Sequence, residues 1–212
     1  MKKVAVLCAA GRQGKLLAAE AAERGYDVTG FVRSEDSVVN KNMKTIVKDL
    51  FDLTKEDLLA YDVVIDAFGA WTSDTVDGIY KAVKHLCDLL SGMNVRLLVV
   101  GGAGSLYVNP ERTLTVADLP SFPDAFKPVA AAHAKALEDL RKRSDVKWTY
   151  LSPAANFVSN GARTGKYLAR GEDYSVNDKG LSEISYADYA IAMIDEIENE
   201  NNVQKRFSVI GE

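Results

Sequence analysis

Cys8-Ala9-Ala10-Gly11-Arg12-Gln13-Gly14 sets two glycines three residues apart directly behind an apolar run, Val4-Ala5-Val6-Leu7. A glycine turn between a strand and a helix leaves backbone N–H groups free at the helix start. The helix dipole adds to their pull on an anion. Gly11 and Gly14 have the spacing of the last two glycines of a G-x-x-G-x-x-G loop, whose chemistry is to hold the pyrophosphate of a dinucleotide. Gly11 lets the backbone approach the phosphates, and Gly14 lets helix and strand pack closely, so Gly11, Arg12, Gln13 and Gly14 form the expected phosphate loop. Cys8 stands where the first glycine belongs. A small side chain fits there if the position needs no positive φ, and Cys8 is expected to be a buried apolar spacer with an inert thiol.

The end of the next apolar run decides which dinucleotide suits the loop. An acidic residue about 20 positions beyond the glycines binds the ribose 2′-hydroxyl of NAD. Here Phe31-Val32-Arg33-Ser34 supplies an arginine instead. Arg12, at a helix start where the dipole opposes a cation, has no evident structural purpose. Two solvated surface arginines are the plain alternative. The chemical reading is a clamp on a 2′-phosphate, with NADP(H) preferred over NAD(H). Further along, Asp49 and Leu50 are expected to meet the adenine, and Ala67, Phe68 and Gly69 the middle of the cofactor. Gly101 and Gly102 make room for the nicotinamide ribose. Pro153, Ala154, Ala155, Asn156 and Phe157 are expected to line the nicotinamide pocket.

These positions matter because each follows a predicted strand. Strand-like runs cover Val4–Leu7, Val28–Val32, Thr45–Lys48, Val63–Ala67, Leu97–Val100 and Trp148–Leu151. Their near-continuous Val, Ile and Leu content suits strands covered on both faces. Amphipathic helical runs alternate with them: Lys15–Arg24, Lys55–Ala60 behind a Thr54/Asp57 capping box, Asp74–Leu90 and Val129–Arg143. The order predicts an α/β Rossmann-type, doubly wound parallel sheet, with ligand at the carboxyl ends of its strands. Residues 104–128 hold four of the five prolines and read as a long loop. A small C-terminal cap at about 153–185, a helix at Tyr186–Glu198 and a strand at Arg206–Ile210 complete one expected domain, 1–212.

Composition narrows the partners. The chain of 212 residues is 47% hydrophobic and carries a net charge of −4, which gives no basic footprint for nucleic acid or an anionic membrane. Its apolar runs fall short of the roughly 20 residues of a membrane helix. Two cysteines and two histidines have no metal-ligand spacing, and no metal site is expected. A cytoplasmic protein with a small-molecule electron acceptor is the simplest expectation. The oligomeric state is left open.

Taken together, the glycine loop, "FVR", "KDLFDLT", "DVVIDAFG", "LLVVGGAGSLYV", "WTYLSPAANF", "RTGKY" and "ISYADYAIAMIDEIE" resemble atypical short-chain dehydrogenase/reductases. The likeness is to their NAD(P)H-binding, NADH-flavin reductase-like branch. Biliverdin-IXβ/flavin reductases and NmrA-like redox sensors are more distant likenesses. The resemblance implies a Rossmann fold and hydride transfer from NAD(P)H, with flavin as a substrate rather than a tightly held group.

A typical member of the wider family carries Tyr-x-x-x-Lys on the helix after the fifth strand, where the tyrosine moves a proton. Only Tyr80 and Lys84 have that spacing, and they fall on the preceding helix. The expected helix carries His133 instead, read mainly as facing solvent or capping a contact, with contact to substrate the lesser alternative. Ser105 is read the same way. Reducing a carbonyl needs a proton donor at oxygen, whereas a flavin takes hydride at nitrogen and water can supply the second proton. The missing pair therefore favours flavin reduction over alcohol dehydrogenation. It equally fits a non-catalytic NADP(H)-binding regulator of NmrA-like type. An epimerase would be expected to keep the tyrosine.

Overall fold

The computed structural model describes residues 1–35, 37 and 43–212. Its elements run β1 (Lys3–Leu7), α1 (Arg12–Glu23), β2 (Asp27–Val32), β3 (Lys44–Val47), α2 (Lys55–Leu58) and β4 (Val63–Asp66). These are followed by α3 (Asp77–Leu90), β5 (Arg96–Val100), α4 (Lys127–Leu140) and β6 (Lys147–Ser152). The chain ends with β7 (Asn156–Val158), β8 (Tyr167–Arg170), β9 (Glu183–Ser185), α5 (Tyr186–Asn199) and β10 (Lys205–Gly211).

Alternation along each strand explains the layers. In β1, Val4 and Val6 face a core shared with α1 and α5, while Ala5 and Leu7 face one shared with α3 and α4. Both faces are buried, as the unbroken apolar runs require. The main sheet has eight strands in the order β3-β2-β1-β4-β5-β6-β10-β8. All its pairings are parallel except β10 with β8, an antiparallel edge. Strand order reverses between β1 and β4, which opens a crevice at their carboxyl ends.

The predicted elements differ from the observed ones mainly at their ends. α1 begins at Arg12, three residues before Lys15, because Gly11 serves as its N-cap with extended ψ and accepts from Lys15 N–H at 3.0 Å. α4 begins at Lys127 with Pro128 in its first turn, where a missing N–H costs nothing. Thr54 and Asp57 form the expected capping box over the single turn of α2. The stretch after Pro153 divides in two. β7 and β9 pair with each other, whereas β8 extends the main sheet.

Candidate functional site

A cleft of about 670 Å³ lies over the carboxyl ends of β1, β2, β4 and β5. Its first wall is the glycine loop. α1 has neither a side-chain cap nor an acidic residue in its first turn, so its leading N–H groups are left for a ligand. A Cβ at Gly14 would stand 2.4 Å from the Cys8 carbonyl oxygen, which is why helix and strand can be this close only with glycine there.

Cys8 departs from expectation. Its φ is +55°, the left-handed region that the expectation of a tolerated side chain excluded. The turn holds it there: the Cys8 carbonyl accepts from Gly11 N–H at 2.9 Å, and Ala9 N–H donates to the Phe31 carbonyl at 3.0 Å. The side chain is half-buried and forms part of the cleft wall, rather than sitting wholly in the core. Burial and the nearby Asp66 carboxylate push its thiol up to about 12, which keeps it protonated. Asp66 itself, at the end of β4, is pushed up to about 7 by burial, although it accepts a hydrogen bond from Phe68 N–H at 2.9 Å.

One end of the cleft is cationic. Arg12 and Arg33 are exposed and neither forms an ion pair among the described residues, while Lys48, tied to Asp57 at 2.6 Å, stands beside them with Ser37. The other end is aromatic. Phe157 lies 4.0 Å from Tyr186 between ring centroids, Phe68 leans edge-on against Phe51, and Trp71 stands 61% exposed at the rim. Gly101 allows close approach there, since a Cβ would strike the Tyr150 ring.

Of the residues singled out in the sequence, the cleft brings together Gly11, Arg12, Gln13, Arg33, Leu50, Ala67, Phe68, Gly69, Gly101 and Phe157. Gly14 lies beneath the loop as packing. Asp49 does not line the cleft: its carboxylate accepts from Phe51 N–H and caps a short 3-10 turn. Gly102 is turned away, its N–H given to the Tyr150 hydroxyl and its Cα covered by the His133 ring. Pro153 and Ala154 are buried. Ala155 and Asn156 are exposed, with their backbone N–H groups donated to Ser182. Of Pro153 to Phe157, only Phe157 lines the cleft.

His133 does not face open solvent: it makes a contact with the Tyr150 hydroxyl, its ring is part of the cleft wall, and burial lowers its pKa to about 4. Ser105 is held instead by Arg206, which donates to both its hydroxyl and its carbonyl. Tyr80 and Lys84 lie outside the cleft, where Lys84 pairs with Asp88 and Lys135 stands over the Tyr80 ring. The sequence reading missed Trp71, Thr72 and Thr75. An aromatic just behind Ala67-Phe68-Gly69-Ala70 was the available signal.

No helix among the described residues is long and apolar enough to cross a membrane. Residues 8–200 match the family model for NAD(P)H-binding proteins. The chain is 40% identical to the uncharacterized protein YwnB of Bacillus subtilis (strain 168) over 99% of both chains. Among solved structures, a Streptococcus pneumoniae TIGR4 protein suggested to be an NADH-flavin reductase is 45% identical, covers 100% of both chains and superposes with a TM-score of 0.96. A Bacteroides thetaiotaomicron protein suggested to be an epimerase is 34% identical over 99% of this chain and 97% of its own, with a TM-score of 0.87. With a Rossmann-type sheet, an uncapped glycine-loop helix and a family match spanning most of its length, this chain belongs to the NAD(P)H-binding family.

Proposed function

We propose that the protein is an NAD(P)H-dependent oxidoreductase that reduces a free flavin, with NADPH preferred over NADH. The observation that carries this reading is the polarity of the cleft, cationic at Arg12 and Arg33 behind β1 and β2 and aromatic at Phe157 and Tyr186 on the β6 side. The α1 N-terminus and Gly11 hold the pyrophosphate. Arg33 and Arg12 pair with the 2′-phosphate, and Leu50 packs beside the adenine. When bound, the reduced nicotinamide supplies a hydride. The chain's own part is to keep two flat rings in contact and exclude water between them, using Phe157, Tyr186 and Gly101 as walls.

Neither Tyr80 nor Lys84 lines the cleft, so the Tyr-x-x-x-Lys pair that would serve a carbonyl acceptor is not assembled there. The suggested activity of the Streptococcus pneumoniae relative supports the same substrate class, although NADH is the donor in its description. The free cysteines suit a reducing compartment such as the cytoplasm.

Following NADPH oxidation with FMN, FAD, riboflavin, quinones and biliverdin-like tetrapyrroles tests the reading. Turnover with free flavins, faster with NADPH than with NADH, is expected. Tight NADPH binding without oxidation by any flavin would instead make the protein a redox sensor.

A further inference from the structure

We propose that His133 is a catalytic residue that serves the bound electron acceptor as a neutral hydrogen-bond donor, through an Nε2–H that its partners in the fold fix in place. The proposal rests on the flavin-reductase reading for its activity arm, and on geometry alone for the state of the ring.

The geometry begins at Tyr150 on β6. Its hydroxyl oxygen accepts from Gly102 N–H at 2.9 Å, so its own proton must go elsewhere. Two acceptors lie near it, His133 Nδ1 at 3.2 Å and the His133 carbonyl oxygen at 3.5 Å. The carbonyl lies within α4, where the next turn uses it, and at 3.5 Å it is the longer of the two contacts. The hydroxyl proton therefore goes to Nδ1, and the imidazole proton belongs on Nε2. Nδ1 is spent on Tyr150, and Nε2 is the ring nitrogen left for the cleft that His133 lines. Gly102 makes the arrangement possible, because a Cβ there would come within 3.1 Å of the ring. The absence of side-chain bulk at Gly102 and the edge-on Tyr150 ring hold the imidazole against the backbone after β5.

The chemistry follows from electron balance. An acceptor ring that takes a hydride gains one proton and two electrons together. A new N–H bond forms on the ring as the donor's C–H bond breaks, and the ring is left with one negative charge. Water supplies the second proton afterwards. An N–H donor fixed in the cleft stabilises that charge as it develops and keeps its own proton throughout. The depressed basicity of His133 agrees with this role, since a neutral imidazole donates through N–H without becoming cationic. A merely structural His133 would tie α4 to β5 and β6 and do nothing to the acceptor.

The experiment has two arms on the full chain. In 15N NMR of histidine-labelled protein near neutral pH, the two histidines are assigned with His133→Gln. The expected result is an unprotonated Nδ1 and a protonated Nε2 on His133, with the Nε2 signal moving when riboflavin is added to the NADP+-bound protein. A proton on Nδ1, or a His133 signal indifferent to riboflavin, overturns the proposal. In steady-state assays with NADPH and riboflavin, His133→Leu is expected to lower kcat by roughly 10²-fold while leaving NADPH affinity unchanged. His133→Gln, which keeps an N–H donor, should recover much of the loss. A leucine variant as fast as wild type, or one that loses turnover only in step with NADPH affinity and Tm, would also overturn it. Wild-type protein that binds riboflavin but never oxidises NADPH with it would sink the flavin-reductase reading while leaving the tautomer result standing.

Discussion

The two ends of the cleft are built by different means. The phosphate end comes from seven consecutive residues, Cys8 to Gly14, plus Arg33 one strand away. Its binding groups are largely backbone N–H groups and a helix terminus, which a short local motif specifies completely. The ring end gathers Phe68, Trp71, Gly101, His133, Phe157 and Tyr186 from five separate parts of the chain. Its binding groups are side chains, and sheet register decides which of them face inward. A local motif thus builds the first end, whereas the second depends on side chains that the sheet brings together from distant parts of the chain.

The largest effect expected to separate the two ends is that of Gly14→Ala. The added carbon would stand 2.4 Å from the Cys8 carbonyl oxygen and 3.0 Å from the Ala9 Cα, both backbone atoms that cannot rotate aside. Overpacking of this kind costs about 1–3 kcal/mol, and here it also displaces the loop that faces the phosphates. Chemical denaturation and cofactor titration should show a less stable protein that has lost NADPH and NADH alike. Unchanged binding of both would mean that the loop is not the pyrophosphate site.

Arg33→Ala should be selective where Gly14→Ala is not. A charge-assisted contact to phosphate is worth roughly 10- to 100-fold in affinity. NADPH should weaken by that factor and NADH hardly at all, as read by fluorescence titration. Equal losses for both, or a wild-type protein that prefers NADH, would show that the arginines are surface charge and nothing more.

Legibility in the sequence divides along the same line. β1, β2, β4, β5 and β6 and their doubly wound arrangement were readable because strands buried on both faces are unbroken apolar runs and the β-α alternation leaves few topologies. β3, by contrast, is a largely exposed edge. Gly11, Arg12 and Arg33 meet at one cleft, as their positions directly behind β1 and β2 suggest. β8 was not readable, since its antiparallel pairing with β10 depends on a return of the chain from a segment rich in Gly, Asn and Ser. Pro153 to Asn156 follow β6 yet do not line the cleft, because Pro153 and Ala154 are buried and the N–H groups of Ala155 and Asn156 are tied to Ser182. The contact of His133 with Tyr150 was not legible for a related reason: Tyr150 lies seventeen residues on and in another element, and no spacing rule links the two. The positive φ of Cys8 is likewise a property of the turn, not of the residue type.

Asp66 lies between the two ends, at the end of β4, and its charge gives the next prediction. Its folded pKa, about 7, is above the ordinary 3.8, so the folded protein binds a proton that the unfolded chain releases across that window. Stability should therefore fall as pH rises from about 4 to about 7 and level off beyond it. Asp66→Asn keeps a side-chain oxygen for Phe68 N–H and never ionises. Its Tm should decline less over the same range, so that the two profiles diverge toward neutral pH. Parallel profiles would mean that Asp66 is already ionised at acid pH in the fold.

The smallest expected effect belongs to Tyr80→Phe, and it guards the comparison from outside. Tyr80 and Lys84 have the spacing of a proton-transferring pair, yet α3 carries them away from the cleft, toward α4. There the Tyr80 hydroxyl is hydrogen-bonded with Asp139, which raises its pKa, the opposite of what an acid active near neutrality requires. Lys84, engaged by Asp88, and Lys142 pull the other way but are outweighed, and Lys135 stands 4.0 Å over the ring. Removing the hydroxyl should leave kcat with flavin within about twofold, since general acid catalysis, typically about 10²-fold or more, is not made there. A loss of that size would move the reacting end of the cofactor to the α3 side. It would also remove the reason for assigning the ring end to Phe157, Tyr186 and His133.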